Sequence, residues 1–179
     1  KQQDIITMEE AIGSLPSLDP CLREETEKWR FPDFEEKKRK GLEVSKWHYP
    51  PVHSWKQVEW MIHTPTGKSA FKNETFYPKT KGRRIKGAPR TYMRMFWDKP
   101  ATTIMQNSGV ISAFSTVHPG RPIVESDDDT KREYSDARAL SIYELLILSS
   151  LPLDWDIPEW ASDVLIRKRS EERRVGKEC

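Results

Sequence analysis

The sequence predicts an α+β fold, a small mixed domain in which helices accompany a short antiparallel sheet. Three capping-box patterns mark helix starts, and aromatic and β-branched residues are concentrated between the second and the third. The chain of 179 residues is about the size of one domain. Its 13 prolines and seven tryptophans indicate a turn-rich body around one core.

Three helices are predicted from their first turns. In a capping box a Ser or Thr precedes a Glu or Gln by three positions, and the two side chains satisfy helix N–H groups reciprocally. The pattern is found at Thr7/Glu10, Ser54/Gln57 and Ser141/Glu144. We expect the first helix to end near Gly13, and proline stops the second before Pro65 and the third before Pro152.

The third helix is the most apolar of the three. Residues 142–148 are almost entirely apolar, so we expect this helix to be buried on most of its sides. A last helix is expected from about Pro158, because proline suits the first helical turn, and it should run through Leu165.

Strand material lies between the second and third helices. Thr91–Trp97 is rich in aromatic residues, Thr102–Met105 is short, and Val110–Phe114 follows a Ser-Gly turn signal. These segments predict an antiparallel patch. The charged stretch Cys21–Lys40 is expected at the periphery, and residues 126–132 (SDDDTKR) are expected to form an exposed loop.

Charge is divided unevenly along the chain. Residues 44–99 contain twelve Lys/Arg and three acids, whereas residues 121–163 contain four basic and eleven acidic residues. The basic block is interleaved with Tyr77, Tyr92 and Phe96, which suits the phosphates and bases of nucleic acid. A solvated surface without a ligand is the alternative.

The segment Thr66-Gly67-Lys68-Ser69 ends like a nucleotide-binding phosphate loop. That loop needs a glycine five residues before the Gly-Lys pair, where this chain has Ile62, and a strand before it, where this chain predicts a helix. A phosphotransferase is therefore disfavoured.

No metal site is expected. The histidines, at positions 48, 53, 63 and 118, do not fall on one helical face as zinc ligands would. Asp127–Asp129 lacks the glycine and the bidentate glutamate of a calcium loop.

The last eleven residues are left out of the fold prediction. Residues 169–179 (RSEERRVGKEC) resemble a translated sequencing-library adapter, and a natural polar tail is the alternative. Without this tail Cys21 is the one remaining cysteine, so no disulfide is expected. The sequence shows no signal peptide and no apolar run near the roughly 20 residues that span a bilayer, so we expect a cytoplasmic protein.

Two groups of residues resemble the cytosine-5 DNA methyltransferases of bacteria and phages. His118-Pro119-Gly120-Arg121, followed by Arg138-Ala139-Leu140-Ser141-Ile142-Tyr143-Glu144 and Pro152, resembles the ninth conserved motif, in which Arg-x-Leu-Thr-x-x-Glu opens a helix. Upstream, residues 58–69, 85–87 and 91–104 resemble the target-recognition domain of one subgroup. Residues 147–152 depart from the family's Arg-Leu-Gln-Gly-Phe-Pro. The order and spacing of these pieces, over most of residues 1–168, carry the resemblance.

The resemblance implies a mechanism for a whole enzyme. A cysteine thiolate adds to C6 of a flipped cytosine in double-stranded DNA, and C5 accepts the methyl group of S-adenosylmethionine. This chain has no Phe-x-Gly-x-Gly cofactor loop, no Pro-Cys-Gln nucleophile and no Glu-Asn-Val motif. We therefore expect a fragment without a catalytic residue, without bound cofactor and without activity of its own, whose partner is the missing N-terminal Rossmann-like catalytic domain.

The resemblance also implies roles for individual residues. Thr103 and Ile104 match the Thr-Leu or Thr-Ile pair near the recognition loops and are expected near DNA, whereas a strand pair that only packs is the alternative. Arg138 matches an arginine with a buried organising role, and Ser141 and Glu144 have the capping role. The candidate phosphate or base contacts are Arg83, Arg84, Lys86, Arg90 and Arg94.

Four segments follow from these expectations. Residues 1–41 form a peripheral helical connector, residues 42–120 a target-recognition domain, and residues 121–168 a helical segment that returns to the catalytic domain, with the tail at 169–179. The competing interpretation is a stand-alone nucleic-acid-binding module without enzymatic function. That module would leave residues 142–151 as an exposed apolar helix, which implies a missing partner.

Overall fold

The structure, a computed structural model, describes residues 5–104, 108–154, 157–158 and 160–168. The helices are α1 (Met8–Ile12), α2 (Phe34–Val44), α3 (Trp55–Ile62) and α4 (Ile142–Leu148), with 3-10 turns at Glu25–Arg30 and Ala70–Lys72. The strands are β1 (Cys21–Leu22), β2 (Val52–His53), β3 (Lys79–Thr80), β4 (Arg83–Arg84), β5 (Pro122–Val124) and β6 (Glu133–Tyr134). Residues 163–168 are also helical.

Helices and small two-stranded sheets therefore coexist, as an α+β class requires. Strand β1 pairs with β2 in parallel, whereas β3–β4 and β5–β6 are antiparallel pairs. The described strands are only two or three residues long, so most of the chain between the helices is held by turns and isolated bridges rather than by a continuous sheet.

Two of the three predicted capping boxes are present. The Thr7 hydroxyl accepts from the Glu10 N–H at 3.2 Å while the Glu10 carboxylate accepts from the Thr7 N–H at 2.8 Å. Ser141 and Glu144 form the same reciprocal pair, at 3.2 and 2.7 Å. These bonds satisfy helix donors that would otherwise lack a partner, and both helices begin where the sequence predicts.

The other two helix starts differ in detail from the prediction. Ser54 precedes α3, but its side chain makes no capping bond. The N–H of Trp55 instead donates to the carboxylate of Glu24 at 2.8 Å, so a residue from a distant segment supplies the cap. The last helix begins at residue 163 rather than near Pro158, and before it the Ala161 N–H donates to Pro158 O at 2.9 Å.

The predicted strands between α3 and α4 are mostly absent. Residues 91–97 form isolated bridges, residues 110–113 form a turn, and Thr91 meets Phe114 in a single antiparallel bridge. Tyr92 and Ser115 have φ angles of 49° and 48°, which interrupt an extended backbone. The segment from Thr102 contains no strand as far as residue 104, and residue 105 lies outside the described part.

In the part of the chain that the structure describes, three clusters of buried apolar side chains form the interior, and each contains residues from distant parts of the chain. The first packs Leu22 and Ala137 against α3. The second joins Met8 and Ile104 to α4, and the third joins α4 to Ile166. The boundary expected between residues 41 and 42 falls inside α2, and the first cluster contains residues from all three expected segments.

The apolar helix α4 is covered by the described chain itself. Ile142, Leu145 and Leu146 are at most 2% exposed, and they pack against α1 on one side and residues 157 and 166 on the other. The expectation that this helix is buried on most of its sides is therefore confirmed, and the exposed apolar helix attributed to a stand-alone module is not found. The sequence could not show that α1 packs against α4, because the two helices lie more than a hundred positions apart in the chain.

The periphery contains the charged segment that follows β1. Its Trp29 side chain is 70% exposed, but Phe31 packs against the first cluster. None of the helices among the described residues combines the length and apolar character that a bilayer span requires.

Candidate nucleic-acid interface

The most basic exposed feature is the hairpin formed by β3 and β4. Lys79 pairs with Arg84 and Thr80 with Arg83 across the two strands. The turn consists of Lys81 and Gly82, with φ angles of 49° and 75°, as a two-residue hairpin turn with two left-handed residues requires. A Cβ at Gly82 would meet nothing within 4 Å, so the tip is open to solvent.

No acidic residue lies in the sequence between Glu74 and Asp98. The hairpin and the loop after it therefore concentrate positive charge that no local carboxylate neutralises, which suits a polyanion. The exposed cations of this basic surface are Lys68, Lys72, Lys81, Arg83, Arg84, Lys86 and Arg90.

Arg84 attaches the hairpin to the body of the protein. Its guanidinium donates to the backbone oxygens of Phe71 and Asn73 at 3.2 and 3.1 Å, and it lies 3.8 Å from the centre of the Tyr77 ring. The N–H of Ile85 also donates to Pro78 O at 3.0 Å. These contacts hold the root of the hairpin in one orientation.

The acidic segment 126–132, which the sequence predicts to form an exposed loop, contacts the base of the hairpin. Asp129 is 6% exposed, and its carboxylate accepts from the N–H groups of Glu74 and Thr75, both at 2.8 Å. Arg132 donates to His63 O at 2.7 Å and to the side-chain oxygen of Asn73 at 2.8 Å. The basic and acidic halves of the chain therefore meet at this point, and the loop is exposed only in part.

Arg94 is buried, whereas a contact with DNA requires an exposed side chain. It is 0% exposed, and its guanidinium donates to Met61 O at 2.8 Å and to His118 O at 3.0 Å. Burial lowers its pKa to about 9. The expectation that Arg94 contacts DNA is thus corrected, because the side chain is enclosed by backbone carbonyls and cannot reach a duplex without unfolding.

The pair Thr103 and Ile104 is divided between surface and interior. Thr103 is exposed, whereas Ile104 is 6% exposed and packs in the second cluster with Met8 and Leu140. Ile104 is therefore a core residue and not a base contact. Lys86 and Arg90 are exposed, and Arg90 lies 5.8 Å from the ring centre of Phe114.

Arg138 and Glu144 form a buried ion pair in the interior. Nη1 of Arg138 lies 2.9 Å from Oε2 of Glu144, and Nη2 lies 2.9 Å from Oε1. The same Nη2 lies 2.9 Å from Oδ1 of Asp136, and Nε donates to Leu18 O at 3.2 Å. The buried guanidinium of Arg138 is thus balanced by two buried carboxylates, those of Asp136 and Glu144.

These contacts set the charge state of the buried groups. Burial by itself would raise the pKa of Glu144, but Arg138 outweighs it and lowers that pKa to about 2. The pKa of Asp136 is likewise lowered despite burial, since the electrostatic effects of His118 and Arg138 and the hydrogen bond from the Leu18 N–H favour the carboxylate. For Arg138 the two carboxylates outweigh burial and raise the pKa.

Three histidines are buried around this network, and burial disfavours their charged form. Burial lowers the pKa of His118 to about 4 and that of His53 to about 3, and it also lowers the pKa of His48. Nδ1 of His118 accepts from the Gly120 N–H at 3.1 Å, and Nε2 of His53 accepts from the Ala139 N–H at 3.1 Å. Among the described residues no group of three His, Cys, Asp or Glu side chains could hold a metal.

The phosphate-loop alternative has no support in the geometry. Gly67 N–H donates to Met95 O and Lys68 N–H donates to Pro65 O, so neither is free for a phosphate. A Cβ at Gly67 would lie 2.3 Å from Cε1 of Phe96, which occupies the place of a ligand.

Sequence reasoning missed several residues that hold the site. Asp136 accepts from Ser17, Leu18 and Ser135 as well as from Arg138, and Arg167 is buried with Nη1 3.0 Å from Leu140 O. Ser17 and Leu18 lie more than a hundred positions from Asp136, and Leu140 lies 27 positions from Arg167, so no local pattern could have revealed these contacts. For Arg94 the flanking Met93 and Met95 were a signal of an apolar setting.

The chain is similar to Type II methyltransferase M1.HgaI of Avibacterium volantium. The two are 43% identical over 168 residues, which cover 93% of this chain and 40% of that protein. The chain therefore spans less than half the length of this relative and is similar to part of it. No family model matches the chain, and no solved structure matches it.

Proposed function

We propose that this chain is the DNA-recognising, C-terminal part of a DNA (cytosine-5-)-methyltransferase of a restriction–modification type. The complete enzyme, acting in the cytoplasm, transfers a methyl group from S-adenosylmethionine to C5 of cytosine in duplex DNA. The observation that carries the proposal is the 43% identity to a Type II methyltransferase across 93% of the chain. The resemblance of residues 118–152 to the ninth motif of the cytosine-5 enzymes supports the choice of C5.

The recognising role is supported by the basic surface. Its cations are exposed, and those from Lys81 to Arg90 have no acidic residue between them in the sequence and lie on the hairpin or in the loop after it. Lysine and arginine at such places neutralise phosphates, whereas side chains that reach base edges select the sequence. We assign contact with DNA to Arg83, Lys86, Arg90 and Thr103, and to Arg84 the role of holding the hairpin that presents them.

The buried ion pair has a supporting role in this proposal. Arg138 joins Leu18, Asp136 and Glu144 and therefore connects the segment before β1 to the start of α4. Ser141 and Glu144 begin α4 as its cap. In the complete enzyme residues 121–168 would lead back to a Rossmann-like catalytic domain.

The described residues do not fit S-adenosylmethionine. A cofactor of this kind binds where a glycine-rich turn lets the backbone approach it. Of the described glycines with positive φ, Gly67 and Gly120 are closed by Phe96 and Arg94, and Gly82 is at the exposed hairpin tip. We therefore assign cofactor binding and the nucleophilic cysteine to the remainder of the enzyme.

A stand-alone nucleic-acid-binding module is the second candidate. The observation that favours it is the burial of α4, because the described chain covers its own apolar helix. This candidate shares the basic surface but predicts that the complete protein transfers no methyl group.

The test uses the complete protein that contains this chain, duplex DNA and S-adenosylmethionine with a labelled methyl group. Nucleosides from the digested DNA should contain labelled 5-methylcytosine. Labelled N4-methylcytosine or N6-methyladenine would contradict the cytosine-5 assignment, and DNA binding without any transfer would favour the module. Residues 1–168 alone should bind the duplex and transfer nothing, and transfer by them alone would contradict the division of roles.

A further inference from the structure

The hairpin of β3 and β4 has two faces with different contacts. In an antiparallel pair, residues directly opposite each other have their side chains on the same face. Lys79 and Arg84 form one such pair, and their charged groups lie 5.8 and 3.8 Å from the ring centre of Tyr77. This face is turned towards the body of the protein.

The opposite face carries Thr80 and Arg83. These two residues are the other directly opposed pair, and both are exposed. Within the described residues the Arg83 side chain makes no hydrogen bond, ion pair or ring contact. Its neighbour Arg84, by contrast, is held by two backbone oxygens. One arginine of the strand therefore fixes the hairpin and the other is available to a ligand.

We propose that the face formed by Thr80 and Arg83 reads base edges in the major groove, and that Arg83 donates two hydrogen bonds to O6 and N7 of a guanine. This inference rests on the proposed DNA-recognising function. A major groove about 12 Å wide admits a two-stranded ribbon, and a bidentate arginine is the commonest specific contact to guanine. Arg83 is then the residue that determines specificity at one base pair.

Because the base of the hairpin is held in one orientation, the hairpin is better suited to recognising base edges than to non-specific attraction to phosphates. The carboxylate of Asp129 accepts from the N–H groups of Glu74 and Thr75. Arg132 donates to the side chain of Asn73, and Arg84 donates to the backbone oxygen of the same residue. A side chain presented from a rigid element loses less conformational freedom on binding, and its geometry can discriminate between bases. Lys81 differs from Arg83 because it lies at the turn and carries a point charge, which suits a phosphate.

The experiment selects bound duplexes from a pool with a randomised central segment, using the complete protein. The unaltered protein should enrich one sequence that contains a guanine. Arg83→Ala should keep its affinity for unselected duplexes to within a few fold, but the preference at one G·C pair should fall about 5- to 150-fold. Lys81→Ala is the matched control, since it removes a charge from the same hairpin and should weaken all duplexes equally.

A second measurement identifies the atom that is read. Replacing the selected guanine with 7-deazaguanine removes the N7 acceptor, so it should weaken the unaltered protein and leave Arg83→Ala unaffected. An Arg83→Ala protein that enriches the same sequence with the same preference would overturn the inference while leaving the proposed function intact. If the unaltered protein binds no duplex at all, the proposed function fails and this inference fails with it.

Discussion

Arg138 and Glu144 face each other through two parallel contacts of 2.9 Å, with both side chains at most 1% exposed. The pair lies at the start of α4, and Glu144 also accepts the N–H of Ser141 at 2.7 Å. One carboxylate thus caps a helix and neutralises a buried cation. This double use makes the position sensitive to small changes.

Glu144→Gln should destabilise the fold strongly. The amide still offers an acceptor to Ser141, but it leaves the charge of Arg138 short of a partner in the interior, which costs about 3–5 kcal/mol. Urea denaturation followed by tryptophan fluorescence measures this loss. Glu36→Gln is the control, because its ion pair with Lys40 is exposed and its midpoint should not move. Equal midpoints for the two variants would contradict the role of Glu144.

Gly120→Ala should disrupt the setting of Arg94. The new Cβ would lie 2.2 Å from Nη1 of Arg94 and 2.5 Å from Ser135 O, at a φ of 68°. A buried guanidinium cannot move away cheaply, so we expect a loss of more than about 2 kcal/mol in the free energy of unfolding. Gly82→Ala has the same backbone strain in open space, at φ 75°, and should cost about 1 kcal/mol. A smaller loss for Gly120→Ala than for Gly82→Ala would show that the close approach is tolerated.

Stability should fall in mild acid because of the buried histidines. The pKa of His118 is lowered from 6.5 to about 4, so below pH 6.5 the unfolded chain takes up a proton that the folded chain refuses. The free energy of unfolding then decreases by about 1.4 kcal/mol per histidine for each pH unit through this window. His53 adds to the slope, since its pKa is lowered to about 3.

The contribution of His118 can be isolated by substitution. His118→Asn keeps an acceptor for the Gly120 N–H and removes the titrating group, so the slope of unfolding free energy against pH should decrease by about 1.4 kcal/mol per unit between about pH 6 and pH 5. Denaturant titrations at several pH values measure this slope. The window lies above the range in which Glu144 takes up protons in the unfolded chain. An unchanged slope would mean that His118 titrates alike in both states.

Lys86→Ala and Arg90→Ala should weaken DNA binding without affecting the fold. Both side chains are exposed in the basic surface, and each phosphate contact that is lost should reduce the slope of log affinity against log salt by about 0.9. Fluorescence anisotropy of a labelled duplex at several salt concentrations gives the slope. Lys40→Ala, on α2, removes an equal charge away from the hairpin and should not change it. A comparable effect of Lys40→Ala would show that only net charge matters.

The candidate site was predictable only in part, because exposure does not follow from residue type. Arg83, Lys86 and Arg90 are exposed within the basic block, as a phosphate contact requires. Arg94 belongs to the same block but is enclosed by oxygens of Met61 and His118, 33 and 24 positions away. The flanking Met93 and Met95 indicate an apolar setting for Arg94, but the enclosure itself depends on which distant carbonyls fold around the side chain.

The sequence by itself determined the features that depend on neighbours three or four positions apart. The capping boxes at Thr7 and Ser141 place α1 and α4 correctly, and the charge division along the chain is a property of composition. Tertiary structure decided the rest: the Glu24 cap of α3, the cover over α4 and the interior place of Arg94. Each of these requires closing a loop of tens of residues, and only the summed burial of the whole chain stabilises such a contact.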